Sequence, residues 1–126
     1  MTPEDRIRAF LAALEARDLA MANTHLHPKV EMVFPGGAAF YRLEELIDWA
    51  RPRYRHVAKL VERIDVAGTT AFVQGTLYGQ WPDGRAFEGI RFADWFEFEE
   101  GLIYRQRVWN DLAEIRLDPG AGAETL

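Results

Sequence analysis

Phe87-Glu88-Gly89-Ile90-Arg91-Phe92-Ala93-Asp94-Trp95-Phe96-Glu97-Phe98-Glu99-Glu100-Gly101 decides the fold. Its residues alternate rather than recur at helical spacing, which is the signature of a strand with two different faces. Ile90, Phe92, Phe96 and Phe98 share one face with Asp94 and Glu88, while Phe87, Gly89, Arg91, Ala93, Trp95 and Glu97 occupy the other. Glu99-Glu100-Gly101 then ends the strand as a hairpin turn. Two more turns lie upstream. Pro82-Asp83-Gly84 combines a proline that presets φ with a glycine that admits φ > 0, and Ala67-Gly68-Thr69 is the other. Period-two texture between these turns predicts strands at about 57–66, 69–81, 85–98 and 102–114. Connections this short require an antiparallel meander. Strands longer than the usual five or six residues bend, and Gly75, Gly79 and Gly89 are the natural places.

The N-terminal half reads differently. Thr2-Pro3-Glu4-Asp5 supplies a cap, a proline at the first helical position and acids in the first turn. Ile7, Phe10, Leu11 and Leu14 follow at helical spacing, predicting a helix over about 3–17. Asp18 caps a second, shorter helix carrying Leu19, Ala22 and Leu26 and stopping at Pro28. Val30 to Phe34 is a short strand closed by Pro35-Gly36-Gly37. Leu43, Leu46, Ile47 and Ala50 mark a third helix, ended by Pro52. Helices first and strands later give an α+β domain over residues 1–116, with an aperiodic tail from 117 to 126. Its curved antiparallel sheet packs on three N-terminal helices and leaves a pocket between the two layers.

Composition excludes several functions. The 126 residues, 48% of them hydrophobic, suit one domain with its own core. There are no cysteines, so disulfide frameworks and thiolate metal sites are absent; this fits a reducing, cytoplasmic setting. A net charge of -5 argues against nucleic-acid binding, and no apolar stretch is long enough to span a membrane. The N-terminus lacks the basic and apolar runs of a signal peptide. Arg51, Arg53 and Arg55 form a local basic cluster, read as a solvated face.

The chemistry-bearing candidate is Asp94. A carboxylate in the middle of an apolar strand face is costly to bury unless partnered. It lines a pocket, where burial or a neighbouring cation tunes it for acid–base work, or anchors the core through an Arg or Tyr, or is exposed by a different strand register. Arg105, Arg107, Trp109 and Asp111 share one side of the last strand, so an arginine there can meet Asp94 across the hairpin; the other reading is a solvated strand face. Phe72, Gln74, Thr76, Tyr78 and Gln80 mix polar and aromatic groups on one face of the second meander strand, suiting a pocket wall or a half-exposed sheet face. His25 and His27, with Glu31 beyond, lack metal-pair spacing and read as surface or capping residues. No nucleophile elbow, phosphate loop or dinucleotide fingerprint occurs.

The order of these elements, with Phe92-Ala93-Asp94-Trp95-Phe96-Glu97-Phe98, Glu99-Glu100-Gly101-Leu102-Ile103 and Val108-Trp109-Asn110-Asp111, resembles the SnoaL-like branch of the nuclear-transport-factor-2-like superfamily over about residues 4–115. The resemblance implies a cone-shaped, cystatin-like α+β barrel with a pocket between helices and sheet. It implies cofactor-independent and metal-independent chemistry by pocket carboxylates, as in polyketide cyclases, ketosteroid isomerases, dehydratases and limonene-epoxide hydrolases. It also implies a small hydrophobic ligand and a homodimer packed through the sheet face. Asp94 takes the place of the pocket acid, Asp111 that of the epoxide hydrolases' last-strand carboxylate, and Trp109 that of a pocket aromatic. Tyr78, Phe92, Gln74, Thr76, Glu31, Val33 and Arg107 complete the expected wall. Two departures narrow the reading. Gln74 and Thr76 stand where epoxide hydrolases carry Arg and Asp, and Phe34 stands where isomerases carry their base. The implied activities are a cyclase, isomerase or dehydratase using Asp94 as acid/base, or a non-catalytic ligand-binding or dimerisation domain of the same fold.

Overall fold

A computed structural model describes residues 1–117. Helix α1 spans Pro3–Glu15. The Thr2 hydroxyl accepts from the Asp5 amide at 3.1 Å while the Asp5 carboxylate accepts from the Thr2 amide at 3.3 Å, closing a capping box. The helix buries Ile7, Phe10 and Ala13. Its end is closed by Arg17, a non-glycine residue at φ 57, so that the Asp18 amide reaches the Ala13 carbonyl at 2.9 Å. Helix α2 is the short Leu19–Asn23, capped by the Asp18 carboxylate. Helix α3, Leu43–Ala50, buries Leu43, Leu46 and Ala50, and the Glu45 carboxylate caps its first turn through the Arg42 amide at 3.1 Å.

Strands β1 (Leu26–Phe34), β2 (Ala38–Phe40), β3 (His56–Ala67), β4 (Thr70–Gln80), β5 (Ala86–Glu99) and β6 (Leu102–Asn110) form one sheet in the order β2-β1-β6-β5-β4-β3. The expected meander is present as β3 to β6, all antiparallel. The sheet as a whole is mixed, because β1 runs parallel to β6. It is curved and unclosed, with β2 and β3 at its edges. One face is covered by helices around a core that includes Ile7, Phe10, Met32, Leu43, Val73, Leu77, Phe96 and Ile103. No described helix is long and apolar enough to cross a membrane.

Several boundaries differ from the sequence reading, each for a local reason. The second helix stops at Asn23, and Leu26 belongs to β1. Pro28 does not block that strand, because the β1–β6 pairing is interrupted between Leu26 and Glu31, where proline's missing N–H is not needed. The residues after Asn110 turn into helix α4 (Leu112–Leu117) instead of prolonging β6 to 114. The expected tail lies outside the described residues beyond Leu117.

The glycines do bend the long strands. Gly89, at φ 70, sits where the β4–β5 register shifts between Leu77/Ile90 and Gly79/Phe87. This bulge flips Phe87 from the face expected for it into the core, where it packs on Trp81 at 4.5 Å between ring centroids. Gly75 lies opposite the β3 irregularity between Val61 and Arg63. A Cβ there would collide with the Leu60 carbonyl oxygen.

Candidate functional site

On the covered face the inward residues of β5 are Ile90, Phe92, Asp94, Phe96 and Phe98, as alternation predicts. Asp94 is 0% exposed. Its partner is neither Arg105 nor Arg107. The β5–β6 register sets Asp94 opposite Val108, and the inward residues of β6 are Gln106 and Val108, which turns Arg105 and Arg107 to the other face. The cation is Lys59 on β3, whose Nζ forms a close ion pair with Asp94 Oδ2. Lys59 reaches it across β4, where the inward position between Val61 and Phe92 in the register is Gly75, which carries no side chain. The Lys59 ammonium also lies 5.1 Å from the Phe92 ring centroid.

Lys59 is 18% exposed, and it faces a cavity between helices and sheet. The cavity has two adjoining lobes of about 70 Å³ and about 80 Å³ that share Phe34, Tyr54, Val57 and Lys59. The first is bounded by Trp49, Leu77, Trp81, Val108 and Leu112. The second runs along Leu11, Leu14, Leu46 and Ala50 to Gln106. An apolar cavity of about 150 Å³ holds a benzene ring, so the two lobes together suit one small ring. Asp94 lines neither lobe; the polar lining comes from Lys59, Gln106, Tyr54 and Asn110, together with Arg53 and Arg116 on the first lobe and Glu15 and Arg17 on the second.

This wall is under-satisfied. Asp94 Oδ1 and both amide atoms of Gln106 are buried without a protein partner among the described residues. Buried polar atoms are nearly always bonded to protein or ordered water, and of these three the Gln106 amide atoms belong to a cavity-lining residue, where water or a ligand's polar group can meet them. Burial pushes the Asp94 carboxyl above the ordinary carboxylate range. Lys59, and more weakly Gln106, oppose that shift without overcoming it. Gln106 lies near enough to act on the charge, yet its amide completes no hydrogen bond to it. Burial likewise raises Tyr54, against the pull of Arg17 and Arg53, so its hydroxyl stays a donor at neutral pH. An ion pair able to share a proton, an amide and a phenol around an apolar space can polarise a carbonyl and move the proton beside it.

The other expected wall residues are placed elsewhere; Phe92 points inward beside Lys59 but lines neither lobe. Glu31, Val33, Arg107, Trp109, Gln74 and Thr76 lie on the opposite face of the sheet, because Met32, Val108 and Val73 take the inward positions next to them. Glu31 pairs there with Arg107 at 2.8 Å. Gln74, Thr76, Trp109 and Asp111 do come together, in an outer groove, where Asp111 bonds Arg91 at 2.6 Å. Asp111 therefore lies on the opposite face of the sheet from Asp94. Tyr78 points its hydroxyl to Glu15, at 3.4 Å. His25 is buried rather than superficial, with Nδ1 accepting from Arg6 Nη1 at 3.0 Å. No group of acids and histidines suited to a metal occurs among the described residues. Lys59 escaped the sequence reading, although Val57-Ala58-Lys59-Leu60-Val61 carries the signal that betrayed Asp94: one charge on an inward apolar row.

A family model described as a SnoaL-like domain matches residues 7–106. The chain belongs to the SnoaL-like domain family. Solved structures agree on the fold. This SnoaL-like chain superposes on TerC co-crystallised with polyporic acid with a TM-score of 0.80 at 19% identity, covering 90% of this chain and 94% of that one. It matches an NTF2-like protein of unknown function from Burkholderia pseudomallei with a TM-score of 0.78 at 24% identity, covering 90% and 95%. For IdmH from Streptomyces antibioticus, described provisionally as a polyketide cyclase, the TM-score is 0.78 at 18% identity, with 95% and 99% covered. At these identities the likeness concerns the fold alone. A search of curated proteins by sequence finds no match.

Proposed function

We propose that this SnoaL-like domain binds a small, ring-sized hydrophobic carbonyl compound in the helix–sheet cavity and moves a proton beside the carbonyl. Lys59 faces the ligand, and Asp94 is the acid/base with which Lys59 exchanges the proton. The observation that carries this reading is the buried Lys59–Asp94 pair, with Lys59 and the unpartnered Gln106 amide at the wall of an apolar space and Asp94 directly behind them. The ligand's oxygen would take the donors that Gln106 and Tyr54 offer. Such a step is common to cyclase, isomerase and dehydratase chemistry, and the cyclase description of IdmH supports that class. Deuterium exchange at the α-carbon of cyclohexanone in D2O, followed by NMR, tests it without knowledge of the native substrate. Asp94→Asn keeps the shape of the carboxylate and removes the base. An acceleration that survives this substitution overturns the proposal.

The outer sheet face supports a second property, self-association. Trp109 and Phe72 stand 55% and 54% exposed there. A second copy of the chain covering this face would bury them. Native mass measurement decides it: a monomer at micromolar concentration contradicts the reading.

A further inference from the structure

We infer that Lys59 is an imine-forming amine, and that the cavity's substrates are small apolar aldehydes or ketones held covalently during the reaction. The inference rests on the reading of the cavity as the ligand site and extends it from proton transfer to nucleophilic catalysis.

An amine that condenses with a carbonyl needs four things. It needs apolar surroundings, which exclude competing water. Lys59 lies among Val57, Leu77 and Phe92 and borders both lobes. It needs space for the carbonyl carbon at the nitrogen, and the lobes meet at Lys59. It needs a base in contact to take the ammonium proton, and Asp94 is bonded to Nζ. Lastly, the oxygen must be polarised, and the Tyr54 hydroxyl and Gln106 amide border the same space. The rest of the chain isolates the residue further. Only two of its fifteen basic side chains are lysines, Lys29 and Lys59, and Lys29 lies on the surface.

The step balances without a further reagent. Asp94 takes one proton from the Lys59 ammonium. The free amine's lone pair forms a C–N bond to the carbonyl carbon, and the C=O π pair moves to oxygen, which gains a proton. The nitrogen gives up a proton to its surroundings. Asp94 then returns its proton to the carbinol hydroxyl, which leaves as water while the nitrogen lone pair closes the C=N bond. One water is released for each imine formed.

Benzaldehyde matches the cavity in size and has no α-proton, so its capture reports the amine alone. The full chain is incubated with benzaldehyde and sodium cyanoborohydride, and N-benzyl groups are located by peptide mass mapping. The structure predicts benzylation of Lys59 at least about a hundredfold faster in the wild type than in Asp94→Asn, the range of a positioned acid–base group. The modification of Lys29 and of the N-terminal amine serves as the internal control and stays equal in both. Binding is read in parallel from the methyl resonances of Val57 and Leu77. If benzaldehyde shifts these methyls while only Lys29 and the N-terminus are modified, the imine is overturned and the ligand site stands. If the methyls do not move and Lys59 is unmodified, both fall. Lys59→Arg keeps the ion pair but cannot form an imine. Cyclohexanone exchange that persists in this variant supports proton transfer without the covalent step and overturns the imine.

Discussion

Removing the cation alone should show what the buried pair does for stability, and Lys59→Met does so with little change in side-chain length. Asp94 has no exposed surface and no other cation bonded to it among the described residues. The variant therefore leaves a carboxylate in an apolar interior with two options, to remain charged and unpaired or to take up a proton. Breaking one side of a buried pair costs about 3–5 kcal/mol, set against a total domain stability of roughly 5–15 kcal/mol. The sign of the pH dependence follows from Asp94. Its folded-state affinity for a proton is already raised by burial, and loss of Lys59 removes the main opposing influence. Between the unfolded carboxylate's value of about 3.9 and the raised folded value, the native state binds more protons than the unfolded one, so stability falls as pH rises through that window. The deficit of Lys59→Met should therefore be largest at pH 8 and shrink toward pH 4. Urea denaturation across that range measures it. Adding Asp94→Leu, nearly the same shape without charge, should bring the double variant back within about 1 kcal/mol of the wild type. A single-variant loss below about 1 kcal/mol at pH 8, or a double variant no better than the single one, would refute the reasoning.

Three further outcomes follow from other parts of the molecule. Gly75→Ala should cost at least about 2 kcal/mol by thermal or urea unfolding, because the new Cβ meets the Leu60 carbonyl, a backbone atom that cannot rotate away. His25 is held below its usual value of 6.5 by burial first and by Arg6 second. The unfolded state then binds the extra proton, and wild-type stability should fall as pH drops below that value, a slope absent in His25→Gln. Trp109→Arg, on the outer face, should change stability by no more than about 0.5 kcal/mol and convert a dimer to monomer in native mass spectrometry; an unchanged assembly contradicts self-association through this face.

Much of the architecture was legible in the sequence because its signals are local. Thr2 and Asp5 announce α1, Asp18 announces α2, and Gly68, Gly84 and Gly101 all adopt the positive φ that their turns require. Asp94 was legible because one charge interrupts four apolar residues on the inward row of β5. What failed to show depends on pairing, which sequence periodicity does not carry. Whether Arg107 or Gln106 faces Asp94 is decided by a one-residue choice of face on β6. Phe87 sits inward because a bulge at Gly89 interrupts strict alternation. The Lys59–Asp94 contact spans two strands and 35 positions of chain, so only the order β5-β4-β3 and the small residue between them bring it about. Gln74, Thr76, Trp109 and Asp111 border one groove, but on the outer face of the sheet and apart from Asp94, because alternation alone does not say which face is covered.

Whether the Lys59–Asp94 pair does chemistry is measured directly by α-proton exchange of cyclohexanone in D2O. Wild-type protein should accelerate exchange, and Asp94→Asn, folded by circular dichroism, should lose about 10²–10⁴-fold of that acceleration. Equal rates for the two proteins, or no acceleration by the wild type, would contradict the proposed function.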